Sequence, residues 1–393
     1  MRRSFATVVL FACVFFAVGA SAERTVATLQ FGGDVLIHAA LLEDALDELS
    51  GQYDFAPMLA PISGLLSETD LTVLNLEVPI ASGPYTGYPQ FNSPPSLLDA
   101  LMEAGVGLLL CANNHALDRL GKGARRTIEN IEAAGLSHIG TARTREEFNS
   151  VPLFDLRGIR VAIFNYTQHT NGMEKQDTEQ NLRYAVHYFG LNRAERDIQA
   201  ARAAGADFVV MCVHWGMEYQ RYPTDVVRVW AEELCRLGAD LVIGGHPHML
   251  QPAEWLTYED KKTGETHDTF VLYSTGNFLT GQREQYRDSG ALFRFTLEKD
   301  EETGKAALSD YRYIPTWVWL DEQTSAYRVL DMRGTIASPP TEMSDAALAR
   351  MTSAWEETIG HMGEDSLLGQ KPMAVAETIE EASDPLGYDS YCF

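Results

Sequence analysis

Several apolar runs in this chain end in short polar clusters, and the residue types in those clusters are ones that bind divalent metal ions. The clearest run is Ala239-Asp240-Leu241-Val242-Ile243, followed by Gly244-Gly245-His246-Pro247-His248. Phe208-Val209-Val210-Met211-Cys212-Val213 ends in His214-Trp215-Gly216, with Glu218 just beyond. Leu108-Leu109-Leu110-Cys111-Ala112 ends in Asn113-Asn114-His115. Two earlier runs deliver Asp34, after Phe31-Gly32-Gly33, and Glu77, after Val73-Leu74-Asn75-Leu76. His246 and His248 can both face a metal if the strand has ended and the chain is turning, and the glycines before them let backbone approach closely. The Asn114 amide oxygen can ligate without adding charge. A neighbouring imidazole that is not metal-bound, His115, can protonate a leaving group. Carboxylates at adjacent strand ends suit the bridging of two cations.

Each cluster also has an ordinary structural role. Asp34 suits a helix N-cap. Asn113 and Asn114 suit a loop for their turn tolerance, with Asp118 capping the next helix. His214 suits a cap at a sheet edge. Glu218 suits either a solvated charge or a carboxylate that orients an imidazole. Asn277, in Thr275-Gly276-Asn277-Phe278, holds either a turn or a substrate. No cluster is decisive alone; their repetition at successive strand ends is what points to one site. The chain has no Gly-x-Ser-x-Gly elbow and no phosphate-cradling P-loop, which weighs against a serine hydrolase or a nucleoside triphosphatase.

The elements that must position these residues alternate. Strands are predicted over 26–31, 71–76, 106–111, 159–166, 208–213 and 241–243. Helices are predicted over 41–49, 96–104, 123–134, 191–204 and 226–237. Short apolar strands separated by helices predict a layered α/β domain whose ligands sit at the carboxyl ends of buried parallel strands. After His248 the pattern changes to two hairpins, 253–258 with 269–274 and 291–297 with 308–313, which predicts a second, antiparallel sheet region. A helix is expected over 344–359.

The 393 residues carry 31 basic and 55 acidic side chains, a formal charge of −24 that disfavours nucleic acid or an anionic membrane surface as a bulk-charge partner. Residues 1–22 read as a secretory signal: Arg2-Arg3, an apolar run to Ala20, and the small-x-small sequence Ala20-Ser21-Ala22. Left uncleaved, this segment is the one route to a membrane. The five cysteines show no paired spacing of a zinc knuckle or disulfide framework. From residue 340 onward the acidic residues far outnumber the basic ones. The organisation expected is a signal at 1–22, a main domain at 23–335 and an acidic, partly helical extension at 336–393.

Taken in order, Gly33-Asp34, Asn75-Leu76-Glu77, Asn113-Asn114-His115-Ala116-Leu117-Asp118, His214-Trp215-Gly216-Met217-Glu218-Tyr219, Gly245-His246-Pro247-His248 and Ser274-Thr275-Gly276-Asn277-Phe278 resemble the CapA (PgsA) family of poly-γ-glutamate capsule biosynthesis proteins. That family is related to the calcineurin-like metallophosphoesterases. The resemblance implies an α/β fold, a four-layer αββα sandwich with added antiparallel hairpins, and a site for two divalent ions (Mn, Fe, Zn or Mg). It implies Asp34, Glu77, Asn114, His214, His246 and His248 as ligands, with Glu77 bridging. It implies His115, with Asp118, as the leaving-group acid. Asn75, Asn113, Glu218 and Asn277 would support the ligands or the substrate. Two departures stand out: Leu36 occupies the place of a histidine two residues after the first aspartate, and Ala116, not Asp, follows His115. The function implied is extracytoplasmic: a metal-dependent hydrolase of a phosphoester or γ-glutamyl bond, or else a non-catalytic assembly or export factor. Its partners would be a capsule polymer or synthase.

Overall fold

A computed structural model describes residues 24–176, 184–259 and 264–364. The signal segment and the end of the acidic extension lie outside the described residues. The chain builds β1 (Arg24–Leu36), the small hairpin β2 (Leu46–Asp47) and β3 (Gln52–Tyr53), then β4 (Leu71–Leu76), β5 (Leu108–Leu110) and β6 (Ser137–Ile139). It continues through β7 (Leu153–Leu156), β8 (Ile159–Thr167), β9 (Phe208–His214), β10 (Leu241–Gly245), β11 (Leu250–Glu259) and β12 (Thr266–Thr275). It returns with β13 (Asn277–Thr280), β14 (Ser289–Asp300), β15 (Ala306–Asp321) and β16 (Ala326–Asp331). One sheet has the order β16-β15-β14-β1-β4-β5-β6, with β13 also paired to β1; the other runs β11-β12-β10-β9-β8-β7.

The two sheets pack face to face and each is covered outside by helices, giving the expected αββα layers. Strand β9 shows why its sequence is apolar throughout. Side chains alternate faces along a strand. Phe208, Val210 and Cys212 enter the core between the sheets with Phe31, Phe270 and Phe295. Val209, Met211 and Val213 instead meet Ile198, Ala231 and Leu234 of the helices Leu191–Ala203 and Asp225–Arg236. A strand buried on both faces has no polar side to show. On the other flank, Leu74, Leu76 and Leu109 pack under the helices Ala39–Ala45 and Ser96–Glu103. Truncating a side chain such as Phe270 to alanine should cost about 3–5 kcal/mol.

The hairpins differ from the sequence expectation. They do not form a separate antiparallel sheet. Strand β12 is antiparallel to β11 but parallel to β10, so that hairpin completes the second sheet. Strand β14 is antiparallel to both β1 and β15, so the other completes the first. The expected helix over 41–49 stops early because Leu46 and Asp47 pair with Tyr53 and Gln52 around Gly51 at φ 68°. The helix Asp345–Met362, capped by the Ser344 hydroxyl, lays Met351 and Ala354 on Trp317, Trp319 and Leu330.

One feature ties the fold to the site. After β12 the chain turns at Gly276 and changes sheets, entering the first as β13, where Asn277 sits in register with Asp34. The Asp34 N–H donates to the Gly276 carbonyl at 3.0 Å. A Cβ on Gly33 would stand 2.0 Å from that same oxygen, so only glycine admits the crossover there.

Candidate metal centre

The carboxyl ends of β1, β4, β5, β9 and β10 meet at one place, and all six expected ligands are buried there: Asp34, Glu77, Asn114, His214, His246 and His248. Gly244 and Gly245 end β10. A Cβ on Gly244 would lie 1.9 Å from the Tyr273 carbonyl oxygen, so the strand runs flush against β12 up to the turn. His246 and His248 then adopt left-handed backbone, φ 99° and 56°, on either side of Pro247. Such conformations in non-glycine residues cost energy and persist where the surroundings impose them. Here they turn both rings into one cluster.

Two donor sets share one carboxylate. Glu77, His214 and His246 each offer a ligand atom, all within 4.8 Å of one another, and so do Asp34, Glu77 and His248. In the first set His214 Nε2 stands 3.4 Å from Glu77 Oε1, 3.1 Å from His246 Nδ1 and 2.8 Å from Asn114 Oδ1. Ligands about 2.1 Å from a common ion in a tetrahedral array stand about 3.4 Å apart. Asn114 therefore belongs with this set. In the second set His248 Nδ1 lies 3.0 Å from Asp34 Oδ2, and its Nε2 lies 3.8 Å from Glu77 Oε1.

The electrostatics fit a cation. The recorded ion pairs of Asp34 and Glu77 are with histidines alone. Burial pushes the Glu77 carboxyl well above its usual range, and the Asp34 charge adds to it, followed by Glu218. Glu77 Oε1 has no hydrogen-bond partner, and neither does Asn114 Nδ2. Burial, then its neighbours His214 and His248, pushes His246 down to about 2. His214 is also held far below 6.5, again mainly by burial. Neutral imidazoles present lone pairs, which is the form that binds metal. A buried carboxylate pair with no Lys or Arg beside it is costly alone and is relieved by a divalent ion. The donor atoms thus fit the metal that the sequence implies.

The supporting residues hold this array in place. The Asn75 amide donates to Asp34 Oδ1 at 2.7 Å and to Glu77 Oε2 at 3.2 Å. The Asn113 amide donates to the Leu76 carbonyl at 2.8 Å and to Asn75 Oδ1 at 3.2 Å. Asn277 donates to the carbonyls of His248 at 3.3 Å and Arg287 at 2.8 Å. His115 is bound through Nδ1 to Asp118 Oδ2 at 2.8 Å, and its ring meets the edge of Phe91 with centroids 4.7 Å apart. Asp118 Oδ2 also accepts from the Phe91 N–H at 2.8 Å. Glu218 is exposed and hydrogen-bonded to Tyr219. His38 belongs to neither donor set: its Nδ1 faces the Leu36 carbonyl at 3.1 Å and the Gly281 N–H at 3.3 Å. Leu36 is thus not replaced by the nearby imidazole. A cavity of about 770 Å³ opens beside the centre, lined by His115, Asp118, Glu218 and His248 among others.

The profile of the bacterial capsule synthesis protein family PGA_cap matches residues 28–282. The chain belongs to this family. It is 25% identical over 281 residues to "Capsule biosynthesis protein CapA" of Bacillus anthracis, covering 70% of this chain and 65% of that protein. It is 26% identical over 211 residues to "PGA biosynthesis protein CapA" of Bacillus subtilis (strain 168), covering 51% and 49%. The match thus spans 65% and 49% of these two relatives' lengths, less than two thirds of either. Among solved structures, Haemophilus influenzae NAD nucleotidase aligns at 12% identity and a TM-score of 0.46, over 86% of this chain and 68% of that one. The calcineurin-like phosphoesterase YfkN of Bacillus subtilis aligns at 14% and 0.43, over 86% and 99%. All the clusters quoted from the sequence fall inside the PGA_cap match.

Residues that the sequence did not single out also reach the site. His169 packs on His246 with ring centroids 5.3 Å apart. Arg283 and Arg287 line the cavity. Lone arginines in a polar loop carry no spacing signal; their one clue is that they follow Asn277 closely.

Proposed function

We propose that the chain is a two-ion hydrolase of the capsule system, acting outside the cytoplasm on a phosphoester or γ-glutamyl bond. The observation that supports this most is Glu77 Oε1. It is common to both donor sets, fully buried and without a hydrogen bond. Divalent ions held there would supply Lewis-acid stabilisation of developing charge and an activated water.

The chain's own residues do the rest. Asp118 Oδ2 accepts from the Phe91 N–H and faces His115 Nδ1 as an acceptor, so Nδ1 donates to it and Nε2 is the ring nitrogen left for the substrate. Nε2 is then the ring nitrogen placed to exchange a proton with a departing oxygen or nitrogen. Asn75 and Asn113 keep the two carboxylates aligned, and the burial of the centre limits bulk water. Export would begin with removal of residues 1–22, so the exported protein should begin at Glu23 by N-terminal sequencing.

The test is turnover by metal-loaded and chelated protein of two probes, a nitrophenyl phosphodiester and a γ-glutamyl nitroanilide. Hydrolysis of either by the loaded form alone supports the proposal. Loaded protein that turns over neither those probes nor native envelope substrates is instead a binding or assembly factor.

A further inference from the structure

Arg287, on the cavity wall near His248, is held from several directions. Its guanidinium carbon lies 3.7 Å from the centre of the Tyr219 ring, and the Tyr219 and His248 ring centres are 6.0 Å apart. The Arg287 backbone N–H donates to the Glu284 carbonyl at 3.0 Å, and its backbone carbonyl accepts from Asn277. The same Asn277 amide donates to the His248 carbonyl, so one side chain ties the backbone of Arg287 to the backbone of His248. Tyr219 is itself fixed, at φ 64° with its N–H on the Pro247 carbonyl at 2.8 Å.

For all this bracing, the guanidinium is short of acceptors. Arg287 Nε is buried and makes no hydrogen bond. The carboxylate recorded beside it, Glu284, approaches Nη1 at 3.4 Å and is 62% exposed. An ordinary surface ion pair has a mobile cation and gains little. Here the cation is stacked on a ring and incompletely hydrogen-bonded, in a chain of net charge −24. A preorganised planar guanidinium is a group suited to forked recognition of an oxyanion.

We infer that Arg287, braced by Tyr219, binds an oxyanion of the substrate set back from the reacting bond, with Glu284 displaced on binding. The inference rests on the hydrolase reading, which supplies the reacting bond. It selects substrates with a second anionic group. A γ-linked glutamate chain has one on every residue as its free α-carboxylate; a phosphate chain has one on the next phosphoryl group.

Calorimetric titration of the metal-loaded full chain tests it with three probes: a short γ-linked glutamate oligomer, the same oligomer with its α-carboxyls amidated, and inorganic phosphate. The expected result is that Arg287→Ala weakens anion binding on the order of 10- to 100-fold, and that Arg287→Lys recovers only part of it. Wild type should prefer the acid oligomer to the amide, and the alanine variant should not. Loss confined to phosphate would make the oxyanion phosphoryl rather than carboxylate. Metal content and circular dichroism of both variants check that the fold and the ions are intact. An alanine variant that binds as wild type does, or a wild type that binds neither anion, overturns the inference. Arg287-dependent binding without turnover would contradict the hydrolase reading alone.

Discussion

The two halves of the metal centre share Glu77 but are furnished differently. One half gathers His214, His246 and the Asn114 oxygen around it, from strand ends in both sheets. The other has Asp34 and His248, and Leu36 stands where the family resemblance leads one to look for another imidazole. The same strand ends thus offer four donors on one side and three on the other. Donor number and charge decide how firmly an ion is held, so the difference teaches that, if each half takes an ion as proposed, the two should bind unequally.

The largest expected effect lies with a residue in neither half. His115→Ala should keep both ions and lose turnover on the order of 100- to 10,000-fold. The loss should shrink on a nitrophenolate ester, whose leaving group needs no proton. An equal loss on both substrate kinds, or a drop in bound metal, would assign His115 to ligation. Next come the halves themselves. His246→Ala and His248→Ala should each lose one equivalent of metal with the fold intact, measured by elemental analysis and circular dichroism. In wild type, stepwise chelation should strip the Asp34–His248 half first; simultaneous release would show the halves to be equivalent.

A smaller effect sharpens the comparison. Leu36→His should raise retention of the weaker ion under chelator, roughly 10-fold if the new ring completes the half. Unchanged retention would show that Leu36 does not face the ion. The smallest effect is expected outside the centre. His187 is partly buried, against Phe148 with ring centroids 4.4 Å apart, and the loss of water around the ring, then the nearby Arg193 charge, pushes it from 6.5 down to about 3. Unfolded chain takes up a proton there near 6.5 while folded chain does not. Its contribution to stability is therefore complete above 6.5 and is lost as pH falls towards 3. Urea midpoints at pH 7 and pH 5 should differ less for His187→Gln than for wild type.

The contrast also shows what a sequence can carry. Candidates such as Asn114, His214 and His246 are legible because each follows an apolar run that stops, and a buried parallel strand announces its own carboxyl end; Asp34 instead lies inside β1, before Val35 and Leu36. The pairing of β12 with β10 was not legible, because a local hairpin pattern says nothing about a strand's other neighbour. Apolar periodicity continues through Leu49 and so predicts a longer helix than Ala39–Ala45, but the turn at Gly51 draws Leu46 and Asp47 into a hairpin. Arg287 was silent for a different reason. Its role depends on the Tyr219 ring beneath it, 68 positions away in the chain, and on the turn that Asn277 fixes.

The shared carboxylate is the claim on which the rest stands. Elemental analysis combined with native mass spectrometry, on wild type and on Glu77→Gln after loading with one divalent metal, tests it directly. Glutamine keeps the shape of the side chain and removes the bridging charge. The expected result is two ions per wild-type chain and none in the variant, with the fold retained because strands rather than ions hold these residues. A wild-type chain without metal, or a variant that keeps both ions, would contradict a centre built around Glu77.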